Sequence, residues 1–260
     1  AAADLLDSTS IAKTAEGFPP GYYNRMSNPT ARLLCTGGIC EDAMCGVLSG
    51  LSSFGRHIGA GASYAAFIAP LGHIASRLHA IGAQARQAVR GDPYQPYFLV
   101  CGHAGLKTGE DGPTHADPQA LQLLQENFPP GTCITLTPWD PQEIWPLLIA
   151  GLMARPAVLA PFVTRPPEVV VDRKQYGLPP ATAARRGVYA MRLADLDARE
   201  YHGTLVLQGN GVAYPFVTEV LPKFKEHGLN MNVYYVASAE LFNHLTAEEQ
   251  DHLFPENFMQ

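Results

Sequence analysis

Tyr97-Phe98-Leu99-Val100-Cys101 is a short apolar run, and Gly109-Glu110-Asp111-Gly112-Pro113-Thr114-His115 follows it closely. The first stretch predicts a buried strand. The second packs two acids, a histidine and a Gly-Pro turn into one loop. Open α/β sheets put their ligand sites on loops at the carboxyl ends of buried strands, so this pairing predicts an α/β fold with a binding or catalytic loop.

The same rhythm extends outward. Further strands are predicted at 133–136 and 157–161, with helices near 118–126 and 141–153, the latter two introduced by Asp117-Pro118 and Asp140-Pro141. Alternating strands and helices imply a parallel sheet covered on both faces. Upstream, residues 1–34 are irregular and polar. A helix is predicted over about Glu41–Phe54, with Met44, Val47, Leu48 and Leu51 on one face. Gly46 and Gly50 on that helix each cost roughly 1 kcal/mol of propensity, so they predict a close backbone approach. A second helix is predicted over about Phe67–Ile81 with Pro70 near its first turn, and Ala83–Pro96 reads as a helix end plus a polar connection. Pro166-Pro167 and Pro179-Pro180 mark a linker. Beyond it, strand 204–208, turn Gly209-Asn210-Gly211, helix 212–227 and strand 232–236 form one crossover, too small to bury its own sheet. The expected organisation is a first α/β domain over 1–165, a Pro-rich linker over 166–185 and an incomplete second α/β domain over 186–260. The opening Ala1-Ala2-Ala3 without methionine reads as part of a longer polypeptide.

The bulk properties narrow the function. The chain has 260 residues, 47% hydrophobic and 16% charged, and a formal net charge of -6 with scattered lysines and arginines. Phosphate-backbone binding needs clustered cations, so nucleic acid is not an expected partner. No run approaches the roughly 20 apolar residues that span a bilayer, and no signal-peptide pattern is present. Five cysteines without a secreted scaffold pattern predict free thiols in a reducing compartment, the cytoplasm by default. No zinc set is completed, so no metal site is expected in the chain.

Several residues have the right chemistry for a site. Glu41 opens a helix, where an acid also simply complements the helix dipole. Tyr64 and Phe67 lie three apart, as core aromatics or as a platform for a flat ring. His103, Asp111 and His115 gather donors and acceptors in one loop region, though a lone histidine after a strand is commonly structural.

Taken together, these segments resemble the pyrimidine-binding domain of thiamine-diphosphate enzymes, and transketolase in particular. Gly38-Ile39-Cys40-Glu41-Asp42-Ala43-Met44 is similar to the family's Gly-Val/Ile-Arg-Glu-His-Ala-Met, and Gly109 to His115 matches its signature loop without a mismatch. Ala3-Asp4-Leu5 with Ser8 resembles the segment that opens the domain, and Arg165 falls where an arginine closes it. The resemblance covers about residues 2–165 well and 186–245 more weakly. It implies thiamine diphosphate as cofactor, with Glu41 holding the imino form of the aminopyrimidine through a shared proton. Tyr64 and Phe67 would stack on that ring, and Asp4 would lie toward the thiazolium. His103 and His115 would hydrogen-bond the ketose, Asp111 would read a hydroxyl, and Ser8 and Arg165 would bind phosphate.

The implied activity is transfer of a two-carbon ketol unit from a ketose phosphate to an aldose phosphate. The magnesium and diphosphate cassette belongs to the family's N-terminal domain and has no counterpart in this sequence. The implied partners are sugar phosphates, that N-terminal half and a second subunit in a homodimer. The chain departs from the family at Cys40 and Asp42, in Ala116-Asp117-Pro118, in Tyr64 for the usual phenylalanine, and in a long Gln84–Gln95 segment that predicts a surface insertion. Alternatives are a dihydroxyacetone synthase, a deoxyxylulose-phosphate-synthase-like enzyme, or a non-catalytic interaction subunit. A metal hydrolase using His103, Asp111 and His115 fits no common zinc spacing.

Overall fold

The computed structural model describes residues 11–35, 38–55, 57–91, 95–102, 112, 119–164, 167–198 and 200–255. Its first sheet contains four parallel strands: β1 (Gly59–Tyr64), β2 (Tyr97–Gly102), β3 (Cys133–Leu136) and β4 (Val158–Pro161), in the order β1-β2-β4-β3. Helix α1 (Glu41–Ser53) precedes β1, α2 (Ala65–Arg90) connects β1 to β2, α3 (Gln119–Glu126) leads to β3, and α4 (Ile144–Met153) leads to β4. The parallel sheet flanked by helices is the expected architecture. Strands β3 and β4 are buried at every position, as an apolar run covered on both faces requires.

One strand of this sheet was not anticipated, and two sequence readings need correction. Strand β1 reads Gly-Ala-Gly-Ala-Ser-Tyr, with no β-branched residue, because packing rather than propensity selects its side chains. A Cβ on Gly61 would stand 2.7 Å from Leu48 Cδ1 and 3.1 Å from Met44 Cε, and one on Gly59 would fall onto the Leu48 backbone carbonyl. These glycines therefore let α1 lie flat against the strand. Helix α2 does not end near Ile81 but continues through Gln84 to Arg90, capped by Gly91 in the left-handed region (φ 66°). The residues read as a polar connection are thus largely the solvent face of a helix, with Ala83 turned into the core. Finally, Gly46 and Gly50 make no close approach: a Cβ on either meets nothing within 4 Å among the described residues. The core stripe of α1 is Met44, Cys45, Leu48 and Ser52, whereas Val47, Leu51 and Phe54 are exposed.

The second sheet has the order β5-β7-β6, with β5 (Val188–Arg192) antiparallel to β7 (Met231–Val236) and β6 (Gly203–Gln208) parallel to it. Strand β5 was not anticipated. The predicted helix after the Gly-Asn-Gly turn runs as α5 (Asn210–Pro215), a π turn over Phe216–Val220 and α6 (Leu221–Glu226); α7 (Ala239–Asn243) and α8 (Ala247–Leu253) follow β7. Several large apolar side chains of this unit find cover across the boundary: Ile134, Leu136, Trp139, Leu147 and Leu159 share one core with Tyr189, Met191, Val233 and Tyr235.

Polar groups fix the same boundary. Arg173 places Nε 2.8 Å from Asp140 Oδ2 and also pairs with Glu143, and all three side chains are buried. Tyr189 donates its hydroxyl hydrogen to Glu143 and accepts one from Trp139 Nε1 at 2.7 Å. Burial pushes the Glu143 carboxyl up to about 7, against the downward pull of Arg173, the Tyr189 hydroxyl and the Trp139 backbone N–H. Thr135 likewise donates through Oγ1 to Glu240 Oε2 at 2.8 Å.

Candidate active site

Two serines fix α1 along β1. At one end, Ser52 Oγ accepts the Gly59 backbone N–H at 2.6 Å and donates to the Pro96 carbonyl at 3.2 Å. At the other, Ser63 Oγ donates to Glu41 Oε1 at 2.9 Å. With Met44 and Leu48 over Gly61 between them, α1 runs antiparallel to β1. Its first residue, Glu41, therefore stands at the carboxyl edge of the parallel sheet, the edge where such sheets bind ligands. Glu41 is partly buried, and its backbone begins the helix after Cys40, whose extended conformation (φ -155°, ψ 99°) carries no side-chain cap. Cys40 and Asp42, the two departures beside it, are both exposed.

Tyr64 closes β1 immediately after Ser63 and serves as the extended residue before α2. Phe67 lies in the first turn of that helix. Their rings meet edge to face, with centroids 6.0 Å apart and planes 60° apart, and Phe67 keeps 39% of its surface exposed. An acid, a donor that orients it and a partly open aromatic pair are thus gathered by one strand end and the two helices beside it. This set can hold a proton at a carboxyl oxygen beside a flat apolar platform.

Of the predicted site residues, Glu41, Tyr64 and Phe67 are brought together. Asp4, Ser8, His103, Asp111, His115 and Arg165 lie outside the described residues. Gly102, at the end of β2, and Thr164, after β4, are described next to His103 and Arg165, and Gly112 has φ 70°, a backbone that suits the glycine of a tight turn. Ser63 was missed by sequence reasoning. Its only sequence signal is a small polar residue just before Tyr64 in a run of glycines and alanines.

A separate cavity of about 270 Å³ opens beyond β3, β4 and β6, lined in part by Trp139, Asp140, Thr164, Glu168 and Asn210. Among the described residues, no group of three or more histidine, cysteine, aspartate or glutamate side chains could hold a metal ion. No helix there is long and apolar enough to cross a membrane. All five cysteines are free, with Cys45, Cys101 and Cys133 buried and each pushed up by burial.

The family model for the transketolase pyrimidine-binding domain matches residues 1–161 of the 260. The chain belongs to this family. No curated protein matches it. Among solved structures, transketolase from Leishmania mexicana is 20% identical, with a TM-score of 0.73, and the alignment covers 98% of this chain and 33% of that one. A Pichia stipitis transketolase in complex with sedoheptulose 7-phosphate is 19% identical, with a TM-score of 0.74 and coverage of 98% and 34%. A protein described as a split-gene transketolase, an inactive β4 tetramer, is 18% identical, with a TM-score of 0.56 and coverage of 96% and 68%. At these identities the likeness is one of fold. The chain spans about a third of the length of the first two transketolases.

Proposed function

We propose that this chain supplies the aminopyrimidine-facing half of a thiamine-diphosphate site in a transketolase, an enzyme moving a two-carbon ketol unit between a ketose phosphate and an aldose phosphate. The observation that carries this reading is the Glu41 carboxyl, held through one oxygen by Ser63 at the ligand edge of the sheet, beside the Tyr64–Phe67 pair. That donor set fits the group: the second carboxyl oxygen suits a ring nitrogen, and the exposed aromatic surface of Phe67 suits the ring itself. When bound, the cofactor supplies an acidic carbon that becomes the nucleophile toward a sugar ketone.

The chain's own residues bind, orient and move protons around it. Glu41 would share a proton held at its carboxyl with the ring nitrogen, which would favour the basic form of the ring. Tyr64 and Phe67 would stack against the pyrimidine, and Asp4 is assigned to the thiazolium side. His103 and His115 hydrogen-bond the sugar and pass protons near neutral pH, while Asp111 reads the hydroxyl next to the bond that breaks. Ser8 and Arg165 bind the sugar phosphate. Magnesium and the cofactor diphosphate fall to an N-terminal region of the family pattern.

The partners follow from the same reading. Coverage of about two thirds of a split-gene transketolase chain supports assembly with a separate N-terminal half. Gly46, Val47, Gly50, Leu51 and Phe54 form one exposed stripe on α1, which supports a second copy of this chain as its cover. Free cysteines support a cytoplasmic setting. The proposed domain limits are 1–165 and 186–260, joined by the linker 166–185.

Replacing Glu41 with alanine in the assembled enzyme tests the proposal. Exchange of the cofactor's acidic proton with deuterated solvent should fall by roughly two to four orders of magnitude, the range of general acid–base assistance. Unchanged exchange would remove the reading.

A further inference from the structure

We infer that Ser63 is a positioning residue for Glu41: it engages one carboxyl oxygen and presents the other to a ring nitrogen. The inference rests on the thiamine reading of Glu41 and adds to it the residue that decides which oxygen does the work.

The geometry argues for this in three ways. Ser63 is 4% exposed, so its hydroxyl cannot turn to bulk water, and it stands 2.9 Å from Glu41 Oε1. A hydroxyl that donates to a carboxyl oxygen occupies one of its lone pairs and favours its role as an acceptor. A proton shared with a ring nitrogen then falls to Oε2, the oxygen that Ser63 does not engage. The link is also structurally fixed at both ends. Ser63 sits on β1, the edge strand of the sheet among the described residues, paired in register with Cys101 of β2. Glu41 sits on a helix whose far end is pinned by Ser52 to Gly59 and Pro96. Between these two links Leu48 and Met44 pack directly over Gly61. The carboxyl group is thus oriented by a hydrogen bond from a rigid strand, the arrangement that keeps a reacting group near its productive geometry.

The experiment compares Ser63→Ala, Ser63→Thr and Glu41→Ala in the assembled enzyme. Three quantities are read: cofactor proton exchange in deuterated solvent, the sugar KM, and the Glu41 side-chain position by crystallography. Ser63→Ala should slow exchange roughly ten- to hundredfold, the cost of a small misplacement of a reacting group, with the sugar KM unchanged. Its crystal structure should show the Glu41 carboxyl turned away from β1. Ser63→Thr keeps the hydroxyl and should restore both. Unchanged exchange in Ser63→Ala with Glu41 in place would overturn the inference. If Glu41→Ala abolishes exchange while Ser63→Ala does not, only the role of Ser63 fails. If Glu41→Ala also leaves exchange intact, the thiamine reading fails with it. Should Ser63→Ala not fold, Ser63→Cys substitutes a weak donor of similar size, and the same slowing or its absence decides the matter.

Discussion

Gly61 lies so close beneath Leu48 that a Cβ on the glycine would stand 2.7 Å from Leu48 Cδ1. This contact sets the separation of α1 and β1, and with it the reach of Ser63 to Glu41. Gly61→Ala should cost about 1–3 kcal/mol, the usual penalty for overpacking a core, and should reduce activity beyond what the stability loss explains. Denaturant unfolding and activity at a temperature where the variant remains folded check both parts. A variant as stable as the parent would mean that the helix is free to shift.

Arg173 holds two buried carboxylates at the boundary between the sheets. Removing it with Arg173→Ala leaves Asp140 and Glu143 without their counter-charge and should destabilise the protein by about 3–5 kcal/mol. A combined Arg173→Met, Asp140→Asn, Glu143→Gln replacement removes the charges together and should cost less than the single change. Unfolding midpoints for the two variants test the order.

Glu143 gives the protein a pH signature. Its folded-state value is raised from 4.5 to about 7, so the folded protein binds a proton more readily than the unfolded chain. The contribution is full below about 4.5 and is lost as pH rises through 7. Stability relative to Glu143→Gln should therefore decline between those limits. His79 works in the opposite direction, because burial lowers its value from 6.5 and stability is lost as pH falls below it. Subtracting the Glu143→Gln curve from the parent removes the histidine contribution. A flat difference would contradict the assignment.

The exposed stripe of α1 carries the dimer proposal. Leu51→Lys adds a charge beside Val47 and Phe54, all exposed in the single chain. If a second copy covers this face, sedimentation should show dissociation at concentrations where the parent is dimeric. An unchanged association state would place the contact elsewhere.

How much of this was legible in the sequence depended on what each element has to bury. Strand β2 announced itself because Tyr97, Leu99 and Cys101 go into the core and no turn residue interrupts them. Strand β1 did not, since Gly59 and Gly61 serve the helix packed on them and strip out the apolar pattern of a strand. The end of α2 was hidden for the opposite reason: Gln84, Arg86 and Gln87 are good helix formers that read as a loop only because they are polar. Strand β5 is the antiparallel member of its sheet and breaks the strand–helix alternation that predicted the others. Glu41 was proposed through the Gly38–Met44 motif and Tyr64 and Phe67 through the wider resemblance, and all three fall at one strand end with the helices beside it. Ser63 was not, because its role depends on a contact across 22 residues that only the α1–β1 packing creates.

The most direct test of the central claim is a crystal structure of the assembled enzyme with thiamine diphosphate bound. The account predicts Glu41 Oε2 within about 2.6–3.2 Å of the aminopyrimidine ring nitrogen, with Oε1 still accepting from Ser63. A cofactor whose pyrimidine lies away from Glu41, or a Glu41 carboxyl turned to solvent, would contradict it.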